Sequence, residues 1–320
     1  MRTILVSGVS GIIGYGILKS LKQSHPNYRL IGTTVYERNV GRAFCDVFER
    51  APMTNHENYL AWLLETIKKW DVSFIIPGIE ADVFAWNKHR DTLESTGVVA
   101  LLNNAELIKL SEDKWTFYQR LNECDSPYAI PTSLHYDEKL GNFPLLAKPR
   151  RGSGSKGISI IKNMVDLEEH LSIHGPAMIY QPIVGSADEE YTCSALFDKN
   201  SNVCAFISMK RTLSQSGFTE NAEPIDLPDT EDAIKHLGAI FKPVGPTNFQ
   251  FRKDQGKLKL LEINPRVSSA TSIRTAFGYN ESAMAVDLFL NGVQPSQPKI
   301  KRGYALRYTE DMIFYDSTTI

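Results

Sequence analysis

Cysteine is scarce, charge is balanced and long apolar runs are missing, and each of these absences removes a class of protein. Only four cysteines, Cys45, Cys124, Cys193 and Cys204, occur in 320 residues. None has CxxC spacing, which excludes a disulfide scaffold and a zinc ribbon, so they read as reduced thiols in a cytoplasmic protein. The seven histidines show no metal-ligand spacing either. Lys and Arg total 35 against 37 Asp and Glu, a net charge of -2. That balance provides no electrostatic basis for a nucleic-acid or membrane partner. No window approaches the roughly 18 apolar residues of a membrane span. The N-terminal MRTILVSGVSGIIGYGILKSL is broken by glycines and carries Lys19 where a signal peptide needs its cleavage site.

What the chain does have is 42% hydrophobic residues, enough to bury the cores of two or three subdomains. Strand and helix patterns alternate at first: Ile4 to Ser7, a glycine-led helix Gly11 to Leu21, Leu30 to Val35, an amphipathic helix Tyr59 to Trp70, and Val72 to Pro77. That order implies a parallel sheet with helical crossovers. A single helix is expected from about Glu106 to Leu121, followed by a linker at Pro127 and Pro131. From Phe143 the texture becomes α+β: LLAKP, GISIIK, AMIYQPI, EYTCSALFD and VCAFISMK read as strands. Helices follow at Thr230 to Phe241 and Glu281 to Leu290, with strands near Asn248 to Arg252 and Lys257 to Asn264. The expected segments are 1–105, 106–142, 143–208 and 209–320.

Gly8, Gly11 and Gly14 follow a strand and open a helix, as in the fingerprint of NADP-binding short-chain dehydrogenases. The only Tyr-x-x-x-Lys pair, Tyr15 and Lys19, lies inside that helix and cannot reach a nicotinamide. An NADP-dependent oxidoreductase therefore rests on the glycines alone; tight packing of helix on strand accounts for them better, with a substrate phosphate or carboxylate at the helix start as the next alternative.

The chemistry concentrates in two stretches. In LLAKPRRGSGSKGISII, Lys148 ends a strand, and a loop with Ser153, Gly154, Ser155 and Gly157 returns to the next. Its glycines let backbone amides bend over a polyphosphate, although a plain surface hairpin fits the loop alone. In TNFQFRKDQGKLKLLEINPR, strand alternation puts Glu262 and Asn264 on one side, with Gln250 of the preceding strand able to face them. Converging oxygen donors of this kind suit Mg2+ completed by phosphates, with a solvated hairpin edge as the alternative. Arg266 can stabilise a transferring phosphoryl group. Arg274 can hold a substrate carboxylate in a bidentate fork.

Taken together and in order, these motifs resemble the ATP-grasp superfamily, specifically one synthetase unit of the carbamoyl phosphate synthetase large subunit. LEINPRVSSA is especially similar. ILVSGVSGIIG resembles the preceding Rossmann-like domain, FIIPGIEAD its third strand, and LSEDKWTFYQRL the helix with the family's first ATP-contacting lysine. The resemblance implies an α/β fold: a Rossmann-like pre-ATP-grasp domain, then an α+β ATP-grasp fold of two subdomains. It implies that Lys114 and Lys148 contact ATP phosphates, that Tyr180, Gln181 and Ile183 form an adenine hinge, that Glu190 takes the ribose hydroxyls, and that Lys210, beside Arg211, adds a phosphate contact. Ser269 stands where the family motif has a further arginine, so a bicarbonate substrate is not carried over.

The resulting expectation is an ATP- and Mg-dependent carbon-nitrogen ligase working through an acyl phosphate, with Mn2+ as an alternative ion. Its partners would be small-molecule carboxylate and amine substrates, an amino acid preferred as one of them, and a homodimer stays open. The acceptor pocket is expected near Glu80 and the loop from Ser268 to Arg274. The non-enzyme alternative is an ATP-binding module that acts as a sensor or partner subunit.

Overall fold

The strand segments Thr3–Val6 (β1), Arg29–Thr34 (β2), Val47–Arg50 (β3), Phe74–Ile76 (β4) and Val99–Ala100 (β5) form a parallel sheet in the order β3-β2-β1-β4-β5. A computed structural model of the chain describes residues 2–135, 137–152, 156–214 and 217–315. The apolar runs of these strands are continuous because both faces are covered. Ile4, Val6, Leu30, Phe74 and Ile76 pack on one side with Ile17, Leu18 and Leu21 of the helix Ile12–Ser24. Leu5, Ile31 and Ile75 pack on the other with Leu63 and Ile67 of the helix Tyr59–Trp70. The edge strand β3 has no counterpart in the sequence reading, since its VFER is too short and too polar to stand out.

Three further strands, Leu145–Pro149 (β6), Ser159–Ile161 (β7) and Met178–Pro182 (β8), form a small antiparallel sheet in the order β7-β6-β8. The helix Met164–His174 accompanies it. The remaining strands, Glu190–Phe197 (β9), Val203–Leu213 (β10), Thr219–Pro224 (β11), Gly245–Asp254 (β12), Lys257–Asn264 (β13) and Ala305–Leu306 (β14), form one antiparallel sheet in the order β13-β12-β9-β10-β11-β14. Among the described residues, no helix is long and apolar enough to cross a membrane.

The large sheet has two chemically opposite faces. Tyr191, Cys193, Ala195, Phe197, Phe249, Phe251 and Ile263 join the core cluster that includes Phe117, Leu237 and Phe241. The alternate residues Glu190, Thr192, Ser194, Asn248, Gln250 and Arg252 form the other face, as the two-residue period of a strand requires. Several of these are buried, so each polar group needs a partner.

The single helix expected from Glu106 to Leu121 is two helices, Ala105–Ser111 and Lys114–Glu123. Asp113 breaks it, because its carboxylate accepts the Trp115 backbone N–H and caps the second helix. The break sets Lys114 at the first turn, its ammonium donating to the Gly152 carbonyl at 2.6 Å.

Candidate functional site

A two-lobed cleft lies over the polar face. One lobe, about 290 Å³, is lined by Lys148, Lys156, Ile158, Glu190 and Arg252. The other, about 320 Å³, is lined by Ile12, Glu80, Phe84, Asn248, Arg266 and Ser268. Lys114, Gln250 and Glu262 line both and mark the junction.

The junction is built by register. Gln250 on β12 lies directly opposite Glu262 on β13, and Asn248 opposite Asn264. Gln250 Nε2 donates to Glu262 Oε1 at 2.5 Å, and Asn264 Nδ2 to the same oxygen at 2.9 Å. The three expected metal-binding side chains therefore converge. Among the described residues, no group of three or more His, Cys, Asp and Glu could hold a metal ion. One carboxylate with two amides is instead a set for a hard divalent ion that takes its remaining ligands from phosphates. Both amide nitrogens face Glu262, while the amide oxygens accept from Arg211 and Arg266.

Cations flank the junction. Lys148 is buried, and loss of hydration pushes its ammonium down to about 8, against the pull of the Glu262 carboxylate. Its Nζ sits 5.2 Å from the centre of the Tyr118 ring and 3.4 Å from its hydroxyl. Lys114 is also lowered, mainly by burial, while Glu262 opposes the shift and Lys148 adds to it. Arg266 donates to Asn264 Oδ1 at 3.2 Å and faces Glu80 across the second lobe at 3.7 Å.

Other expected residues lie elsewhere. Lys210 does not line the cleft: strand alternation turns it away, and Arg211, one residue on, reaches inward to donate to Gln250 Oε1 at 2.6 Å. Glu190 lines the cleft, but its oxygens are engaged in register by Arg211 (2.9 Å) and Arg252 (3.0 Å) instead of standing free for ribose hydroxyls. Arg274 does not line the cleft. It is fully buried, donating to Glu281 at 3.0 Å, Ser268 at 2.8 Å and Asn248 at 2.5 Å. Ser194 completes this cluster by donating to Glu281.

Tyr180, Gln181 and Ile183 are not among the cleft-lining residues. Tyr180 packs inside the small sheet with its hydroxyl 3.0 Å from His170 Nδ1, Gln181 donates to Thr132, and Ile183 is partly exposed. Gly157 adopts φ +74° beside Pro149. Ser153, Gly154 and Ser155 lie outside the described residues.

The N-terminal glycines serve close packing. A Cβ on Gly14 would lie 2.5 Å from the Gly8 carbonyl oxygen, and one on Gly78 would lie 2.1 Å from that of Ser7. This contact seats Ile12 and Ile13 at the second lobe.

Sequence reasoning missed Asp113, Tyr118 and Asn248. Asp113 ties down Arg150 through Oδ1 and Oδ2, at 3.1 and 2.6 Å. The polar alternation of EYTCSALF with TNFQF was the signal for Asn248, which strand period places on the polar face with Thr192 and Gln250.

Residues 176–312 match a family model described as ATP-grasp in the biosynthetic pathway with Ter operon. The carbamoyl phosphate synthase large chain of Halomonas eurihalina is 28% identical over 228 residues, 63% of this chain and 21% of that protein. The chain thus spans about a fifth of that relative's length. N5-carboxyaminoimidazole synthetase from Staphylococcus aureus, complexed with ADP, is similar in fold at a TM-score of 0.74 and 17% identity, covering 93% of this chain and 80% of that one. The biotin carboxylase domain dimer of Hydrogenobacter thermophilus 2-oxoglutarate carboxylase, in complex with MgADP, ADP and bicarbonate, gives 0.72 and 16%, covering 95% and 73%.

Proposed function

We propose that this chain is an ATP-grasp protein, an ATP- and Mg-dependent ligase joining a carboxylate to an amine through an acyl phosphate. The observation that carries the reading is the convergence of Gln250, Glu262 and Asn264 where two lobes meet. The lobe with Lys148 takes the nucleotide, and the lobe with Arg266 takes the carboxylate. Mg2+ held by Gln250, Glu262 and Asn264 supplies charge neutralisation for the phosphates. A homodimer remains compatible with this reading.

The chain's own residues position and neutralise. Lys148 and Lys114 hold the phosphates, and Arg266 steadies the negative charge that moves between the lobes. A substrate carboxylate oxygen bonds to the γ-phosphorus as the bond to the bridging oxygen breaks, and ADP leaves with that electron pair. The amine nitrogen then bonds to the acyl carbon and loses a proton, while phosphate departs with the C–O pair. No catalytic Ser, Cys or His is required.

The test is ADP release and hydroxamate formation, with Mg-ATP, a carboxylate panel and hydroxylamine as trapping amine. Wild type is expected to give hydroxamate with at least one carboxylate, and Glu262→Ala to lose it by about 100-fold or more, the scale of a removed electrostatic stabiliser. A chain that binds nucleotide yet forms hydroxamate with no carboxylate contradicts the ligase reading and favours a binding module.

A further inference from the structure

We infer that the second lobe selects an α-amino acid with an apolar side chain, its ammonium read by Glu80 and its carboxylate by Arg266 and Asn248. This inference rests on the ligase reading and names its substrate class.

The lobe offers one group of each kind. Glu80 opens the helix Glu80–Lys88, and Val83 and Phe84, three and four residues on, share its face. All three line the lobe. Ile12, Ile13 and Phe218 add apolar wall, and all three are only half-buried. Glu80 and Arg266 stand 3.7 Å apart across this space, close enough to attract and too far for a well-formed hydrogen bond. A zwitterion inserted there exchanges one loose ion pair for two, with its carboxylate beside Asn264 and the metal-binding set. Its side chain then covers Ile12, Phe84 and Phe218.

Asn248 supplies an independent sign. It is 1% exposed, and Oδ1 accepts from Arg274, which can only donate and so determines the amide orientation, and from the Thr192 hydroxyl. Its Nδ2 has no partner among the described residues, and Asn248 lines the lobe. A buried donor of that kind calls for an acceptor from the ligand. Bicarbonate satisfies Arg266 and Asn248 but leaves Glu80 and the apolar walls unused.

The experiment compares leucine and phenylalanine with their des-amino analogues, and with aspartate, in the hydroxamate assay, for wild type and Glu80→Gln. Wild type is expected to prefer leucine or phenylalanine over the des-amino acid by about 10- to 100-fold in KM, the scale of a charge-assisted contact. Glu80→Gln is expected to erase that ratio, which a residue that only supports the fold would leave in place. Des-amino acids used as well as amino acids, a preference for aspartate, or a ratio unchanged in Glu80→Gln overturns this inference while leaving the ligase reading intact. Hydroxamate from no carboxylate at all overturns both.

Discussion

Burial lowers the Lys148 ammonium to about 8, so its charge is lost in the range where the protein can be handled. A phosphate beside it stabilises the protonated form, so nucleotide affinity is linked to pH with a definite sign. At pH 7 about nine-tenths of the free protein carries the charge, and at pH 9 about one-tenth. If only the charged form binds well, the apparent affinity for ADP falls roughly tenfold from pH 7 to pH 9. Binding at pH 8 then takes up about half a proton, visible as a heat that depends on the buffer's ionisation enthalpy. The assay is calorimetric titration with ADP without Mg2+, which isolates the lysine from the metal. Lys148→Arg keeps its charge at every pH used and is expected to flatten the profile. Lys148→Met is expected to be weak and flat. A wild-type affinity constant between pH 7 and 9, or a Lys148→Met variant within twofold of wild type, refutes the reasoning.

Arg274→Met leaves the fully buried Glu281 without its ion-pair partner and is expected to cost about 3–5 kcal/mol in urea unfolding. Replacing both Arg274 and Glu281 by apolar residues should recover much of that loss, and a single-variant cost below about 1 kcal/mol contradicts the pairing. Gly78→Ala brings a methyl 2.1 Å from the Ser7 carbonyl oxygen and 2.9 Å from Gly14 Cα, both backbone atoms. A loss of about 1–3 kcal/mol is expected, and an unchanged unfolding midpoint speaks against the close approach.

The fold class and the convergence of Gln250, Glu262 and Asn264 were legible because both follow from period. Gln250, Glu262 and Asn264 needed only strand alternation and one hairpin, and β12 and β13 provide both despite the register shift after Gln250. Lys210 was misread because a strand register wrong by one residue reverses the face, which brings Arg211 inward. Arg274 and Glu190 carry partners that the sequence did not show. Arg274 pairs with Glu281 at the start of the next helix, and Glu190 with Arg211 and Arg252 on the flanking strands, so each charge that looks available in sequence is consumed by a pair formed in the fold. The broken helix at Asp113 shows local competition, since an aspartate that caps one helix ends the apolar pattern running through it. Asn248 was visible only as an amide in an alternating strand. Its significance depends on Arg274 and Thr192 holding its oxygen.

The most direct test of the central claim is titration of the intact chain with a non-hydrolysable ATP analogue, with and without Mg2+, in wild type and Glu262→Gln, alongside NADPH. Tight binding of the analogue that strengthens with Mg2+, a metal effect lost in Glu262→Gln, and no response to NADPH are the expected results. Binding of NADPH with silence toward the ATP analogue, or a Mg2+ effect that survives Glu262→Gln, contradicts the account.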